Sequence, residues 1–263
     1  MRFNPKVGIA IGFGGSQFSP LSLFAASEPG FWYDPSDLST LFQDSAGTTP
    51  VTAAGQSVGL VLDKSGRGNH ATQPTSLSRP TYQVDSNGRG YLLFDGSDDF
   101  LVTPTITPGT DKVQVFAGVR KLSDAARGML VELGNAPGLQ TWRLEAPDGP
   151  ALPRYLWNSS GSSSSSTVAS GYAAPITNVL TGIGDIAADT AILRVNAAQA
   201  ASSASDQGTG NYGNYPVYIG RRGGTSTPFN GRIYSLICRF GPNLTSDQIA
   251  QTEAWVNSKT GAY

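Results

Sequence analysis

One cysteine, Cys238, and one histidine, His70, are all that 263 residues supply of the usual soft metal ligands. A Cys/His zinc site within one chain is therefore excluded, as is an intramolecular disulfide. Cys238 lies in the alternating apolar run "IYSLICRF" and reads as a small buried hydrophobe. Charge is scarce too. Charged residues make up 14% of the chain, 18 basic against 19 acidic, and no basic run is present. A net charge of −1 leaves no electrostatic footprint for nucleic acid. No stretch approaches the ~20 apolar residues of a membrane-spanning helix, so no membrane insertion is expected. The opening "MRFNPKVGIAIGFGGSQFSPLSLFAAS" pairs basic with apolar residues, but Asn4, Pro5, Ser16, Gln17, Ser19 and Pro20 interrupt it. We expect no signal peptide and synthesis in the cytoplasm.

What the chain does have is 32 Gly, 17 Pro and 39% hydrophobic residues in short runs. That composition suits many short strands joined by tight turns. Period-two alternation marks "DKVQVFAGVRK", "GMLVELG" and "NGRIYSLICRF", and Asn87-Gly88 and Asp95-Gly96 are turn dipeptides. The serine-rich "SSGSSSSSTVASG" reads as a surface loop. The end is different. In "NLTSDQIAQTEAWVNSKTGAY", Thr245 stands three before Gln248 as a capping box, Asp247 and Lys259 suit the helix dipole, and Gly261 can end the helix. The spacing predicts a helix over 245–259. We therefore expect an all-β fold, a two-sheet antiparallel jelly-roll sandwich over 30–263 with one C-terminal α-helix. Residues 1–29 are set apart by "VGIAIGF", in which large apolar residues alternate with Gly or Ala. Phe3, Val7, Ile9, Ile11, Phe13 and Phe18 would make this an extended arm docked on a partner, or else the first strand of the domain's own sheet.

The carboxylates decide whether chemistry is expected. In "YLLFDGSDDFL", Asp95, Asp98 and Asp99 fall within five positions. Asp95 can cap a turn between strands 91–94 and 100–102 read as a hairpin, and Asp98 and Asp99 would then point to opposite faces. The alternative is a structural calcium site on these three carboxylates. Glycan hydrolysis needs two carboxylates flanking one bond. Only Glu28, Glu132, Glu145 and Glu253 are available as glutamates, and only Glu132 and Glu145 could face each other across neighbouring strands. His70 is the sole candidate base for a serine hydrolase, and no G-x-S-x-G is present. No catalytic residue is assigned, and no cofactor beyond the calcium alternative.

"LDKSGRGNHATQ", "LLFDGSDDFL", "FNGRIYSLICRF" and "LTSDQIAQTEAWVN", in that order, resemble the concanavalin A-like lectin/glucanase superfamily, and within it the laminin-G-like jelly rolls. The opening "FWYDPSD…TLFQDSAGTTPVTAAGQSVG" resembles a version found in tailed-phage structural proteins. The resemblance implies a β-sandwich module on a virion, on a tail fibre or as a capsid decoration, with other virion proteins and sister subunits of a homo-oligomer as partners. Carbohydrate binding is the alternative. "QGTGNYGNYPVYIGRRGG" offers Asn211, Tyr212, Asn214, Tyr215 and Arg221 in or beside a loop, and Trp157 borders the serine run, so these are the candidate contacts to a host surface glycan. The expectation is a non-enzymatic virion structural protein, with a receptor-recognition adhesin second and a divergent glycosidase third.

Overall fold

The computed structural model describes residues 18–134 and 138–263. Two antiparallel sheets face each other. One runs β15 (Ala198–Ser203), β14 (Thr190–Val195), β13 (Ile176–Asp185), β8 (Lys112–Lys121), β17 (Asn230–Phe240), β6 (Gly90–Asp95) and β5 (Thr81–Val84), with β1 (Gly30–Tyr33) also paired to β17. The other runs β12 (Ser164–Ser170), β11 (Arg154–Ser160), β10 (Trp142–Glu145), β9 (Met129–Leu133), β16 (Val217–Ile219), β7 (Leu101–Val102), β4 (Ala71–Thr72), β3 (Leu60–Val61) and β2 (Leu41–Phe42). The expected all-β sandwich is what the chain forms.

The layer between the sheets is built by alternation. On β10 and β11, Trp142, Leu144, Tyr155 and Trp157 face inward and are fully buried, while Arg143, Glu145 and Asn158 take the other face. Trp157 stacks on Trp142 with ring centroids 5.7 Å apart, and its indole N–H donates to the carbonyl of Ile183 at 3.0 Å. The opposite sheet makes room with a glycine: a Cβ at Gly182 would lie 2.3 Å from Trp157 Cε3.

The C-terminal helix α1 (Ser246–Thr260) covers the outer face of the first sheet. Its start is the expected capping box, Thr245 and Gln248 bonding reciprocally, and Gly261 closes it at φ 64°. Val256 is buried, and Leu244 and Ile249 share its cluster. Close approach depends on Gly118 of β8, where a Cβ would meet the Thr260 hydroxyl at 2.0 Å. A buried carboxylate locks the helix down: Glu253 accepts from the partly exposed Arg194 Nε at 2.8 Å and from the Thr181 hydroxyl at 2.8 Å.

Three expectations need correction. Residues 91–102 are not a hairpin, because β6 and β7 belong to opposite sheets and the acidic turn carries the chain from one to the other. Both flanking segments are strands, so local pattern could not distinguish a hairpin from a crossing. The serine run is not a loop but the edge strand β12, alternating exposed and buried residues against β11. Asn158 fixes it, donating to the hydroxyls of Ser164 and Ser166 at 2.7 and 2.9 Å and to the Ser165 carbonyl at 3.0 Å. The boundary drawn at residue 29 is not a break in packing. Leu23 and Phe24, in the short helix Pro20–Phe24, are buried, and Arg239 donates to the Leu23 carbonyl at 2.8 Å and to Glu28 at 2.9 Å. Phe18 packs against the same cluster, while Phe3, Val7, Ile9, Ile11 and Phe13 lie outside the described residues.

Candidate functional site

Of the six glycan-contact candidates, two are core residues. Trp157 is described above. Tyr212 is buried, its ring beside Phe240 and its hydroxyl 2.6 Å from Ser159 Oγ. Burial pushes the Tyr212 phenol well up from its ordinary pKa, its bond to Ser159 opposing only in part. Neither can touch a ligand at the surface. Tyr215 is half-buried and packs on the core, and its backbone pairs with Ile106. Arg221 spends its donors on the chain itself, on the carbonyls of Asp98 at 3.4 Å and Thr225 at 3.1 Å. Asn211 and Asn214 alone of the six are exposed. An aromatic beside glycines in a loop looks outward in sequence. Here the glycines let the chain pass close enough for the rings to turn inward, as where a Cβ at Gly184 would meet the Tyr212 hydroxyl at 2.3 Å.

Asp95, Asp98 and Asp99 converge, with one oxygen from each lying within 4.8 Å of the others. Asp95 ends β6, while Asp98 and Asp99 sit in the turn rather than on a strand, which is why those two do not point to opposite faces. Asp95 accepts from the Ser97 amide at 2.8 Å as an Asx turn, Asp99 accepts from the Asp95 amide at 3.0 Å, and Asp98 accepts from Ser78 Oγ at 2.7 Å. Burial, together with the charges of Asp95 and Asp98, pushes Asp99 up to about 6. Each carboxylate has a structural partner, and three oxygens at this spacing also fit the hard ligand chemistry of calcium. Among the described residues none of the three carboxylates is ion-paired, and calcium held there would neutralise them.

Glu132 and Glu145 share the outer face of β9 and β10, but Glu132 stands opposite Arg143 and not opposite Glu145. Glu145 is fully buried and clamped by Arg127, at 2.6 and 2.5 Å, and by Arg143 at 2.6 Å. Glu132 is fully buried beneath the loop after β16, where the Gly223 amide donates to it at 2.8 Å. Burial pushes Glu132 up to about 7. Neither carboxylate is open to a substrate.

The surviving candidate lies at one end of the sandwich. Residues 208–211 form a cleft of about 340 Å³ with Asp111, Ile186 and Ala187. The loop is pinned rather than free. Gln207 is buried, its amide donating to Asp189 at 2.8 Å and its side chain bonded to Ser159. The Thr209 amide donates to Ser162 Oγ at 3.0 Å, and Ser162 N–H donates back to the Thr209 carbonyl at 3.1 Å. Gly208, at φ 74°, lets this happen, since a Cβ there would lie 2.0 Å from Ser162 Oγ. Burial pushes the Asp111 carboxyl up, but hydrogen bonding and charge from Lys112, at 3.0 Å, outweigh it and hold the group below the usual carboxylate range. The cleft therefore presents an ionised acceptor, the exposed Asn211 carboxamide, backbone polar groups and a small apolar surface.

No family model matches the chain, and no curated protein does. Solved structures do match in fold. The receptor-binding domain of botulinum neurotoxin type G is 13% identical with a TM-score of 0.53, over 74% of this chain and 48% of that one. The binding domain of botulinum neurotoxin serotype D is 10% identical with a TM-score of 0.57, over 87% of this chain and 52% of that one. A serotype D ligand-binding domain solved with N-acetylneuraminic acid is 12% identical, TM-score 0.54, over 74% and 48%. The chain thus spans about half the length of these neighbours. At such identity the shared property is the β-sandwich jelly-roll fold.

Proposed function

We propose that this chain is a non-enzymatic recognition module that binds a glycan, as an adhesin does, at the cleft of Asp111 and Asn211. The observation that carries this reading is the cleft's construction: a rigidly pinned loop presents one ionised carboxylate and one carboxamide beside apolar surface. Carboxylates accept from sugar hydroxyls, amides both donate and accept, and the apolar patch suits a sugar's C–H face. Closure of Glu132 and Glu145 beneath loop and arginines supports binding over hydrolysis. The sandwich fold that receptor-binding domains also use is consistent with it, by analogy of fold. A glycan array with the full chain tests the proposal. Asn211→Ala should abolish the strongest signals without shifting the melting temperature, Asp111→Asn should abolish them at a small cost in stability from its lost pairing with Lys112, and retained binding in both variants would refute it.

The resemblance of residues 31–59 to tailed-phage structural proteins supports a second proposal, that the module is carried on a virion and anchored by its N-terminal segment. Because Leu23 and Phe24 belong to the domain, the test is a chain beginning at Phe18, compared with the full chain by light scattering. Self-association of the full chain alone supports anchoring through residues 1–17. Two identical monomers oppose it.

A further inference from the structure

A second cleft, on the far side of the molecule, is charged in a way the rest of the chain is not. It lies on the outer face of the first sheet and measures about 360 Å³, within the ~300–1,000 Å³ of small-ligand sites. Its floor is Arg120, Thr177, Arg232 and Tyr234; its walls are the β5–β6 turn, with Asp85 and Arg89, and the end of α1.

Arg120 and Arg232 stand directly opposite each other on neighbouring strands β8 and β17. Like charges in that position repel and destabilise a sheet. Arg120 has one side-chain bond, to Thr177 Oγ1 at 2.9 Å. Arg232 lies over the Tyr91 ring at 4.6 Å, and its buried Nε has no hydrogen-bond partner. Among the described residues neither guanidinium is ion-paired. Arg89 completes the group, held by Gly261, where a Cβ would come within 2.4 Å of the Arg89 guanidinium carbon. The only acid lining the cleft, Asp85, accepts from the amides of Asn87 and Arg89 at 2.8 and 3.0 Å and makes a loose ion pair with the Arg89 side chain at 3.9 Å. Three guanidinium charges against one carboxylate and the roughly half negative charge of a helix C-terminus leave about +1.5 in the cleft. Three of the chain's 18 basic side chains meet at this one spot.

Guanidinium groups suit planar or tetrahedral oxyanions because their N–H groups bond two oxygens at once. We propose that this cleft binds the carboxylate or sulfate group of an acidic saccharide, with Arg120 and Arg232 as the paired donors. This rests on the glycan-recognition reading for the saccharide, but on the arginine geometry for the charge. A nucleic acid is disfavoured because no basic stripe extends from the cleft.

The test uses the full chain, a tri-galacturonate probe, the neutral maltotriose and inorganic sulfate, each titrated calorimetrically and by thermal shift. Tri-galacturonate should bind, more weakly as salt is raised, and maltotriose should not compete. Arg120→Gln should weaken binding at least tenfold while leaving the ligand-free melting temperature unchanged or higher, since it removes one of two repelling charges. Arg232→Lys, which keeps charge but loses the fork, should also weaken binding and guards against a folding defect in any one variant. Binding of sulfate without tri-galacturonate would overturn the saccharide assignment, and so would tri-galacturonate binding that both variants leave intact. Neutral-glycan binding lost in Asn211→Ala, with neither tri-galacturonate nor sulfate bound by the parent chain, would overturn this proposal while leaving the proposed function standing.

Discussion

Trp157 separates a core residue from a ligand contact, and its substitution gives a measurable difference. A buried tryptophan removes about 150–250 Å² from water, worth on the order of 4–6 kcal/mol at ~25 cal/mol per Å². Truncation also empties the space against Gly182 and breaks the indole bond to Ile183. Trp157→Ala should therefore cost ~3–5 kcal/mol, or roughly 6–20 °C of melting temperature in a domain of this size. The reverse perturbation probes the same contact. In Gly182→Ala the new methyl would sit 2.3–2.6 Å from three atoms of the Trp157 ring, which cannot yield while stacked on Trp142. That overpacking should cost ~1–3 kcal/mol. Combining Gly182→Ala with Trp157→Phe should cost less than the two single changes added, because the smaller ring vacates space for the methyl. Urea denaturation of the four variants (Trp157→Ala, Gly182→Ala, Trp157→Phe and the double) and the parent, with a common m-value, measures all of this. Additive costs, or a Trp157→Ala variant within about 0.5 kcal/mol of the parent, would show that the indole is not in the core.

The raised carboxyls give a pH test. Glu132 and Asp99 titrate higher in the folded chain than in an unfolded one, so their protonated forms favour the native state; stability is full below about pH 4 and falls as pH rises through about 6 and 7. Glu132→Gln and Asp99→Asn should each flatten the decline between pH 5 and 8, and an unchanged slope in denaturation midpoints refutes the assignment. Asp63 accepts from the amides of Trp32, Ser65 and Asn69 at 3.0, 2.8 and 3.0 Å. Asp63→Ala should cost ~1–3 kcal/mol by leaving those donors unmet, and a neutral result in chemical denaturation would show the loop does not depend on it. Glu253→Ala leaves the buried Thr181 hydroxyl and the partly exposed Arg194 without their acceptor and should cost ~1–3 kcal/mol; hydrogen exchange should show the helix opening before the sheets, and uniform protection would contradict that.

Much of the fold could be read directly. Alternation in "DKVQVFAGVRK" and "NGRIYSLICRF" became β8 and β17, and the capping residues of α1 stood in place because helix ends are satisfied by neighbours in sequence. The site was read less well. Asn211 was legible as an exposed amide in a glycine-rich loop, but its partner Asp111 lies one hundred positions away and had no local signature. Tyr212 and Trp157 were misplaced because an aromatic side chain's direction depends on which facing residues are glycines, here Gly184 and Gly182, and that is a fact of pairing. The arginine cleft was invisible for the same reason: Arg89, Arg120 and Arg232 are ordinary surface residues until β17 is laid between β6 and β8.

The sequence by itself determined the class of fold, the helix and its ends, the absence of a Cys/His zinc site, and the turn chemistry of "FDGSDDF", because each depends on residues within a few positions. Only the tertiary structure decided that this turn crosses between sheets, that the serine run is an edge strand, that Glu132 and Glu145 are shut away, and that three arginines meet. Those outcomes depend on which strands become neighbours. Strand order is fixed by burial of the whole inner face at once, and no short stretch of chain encodes it.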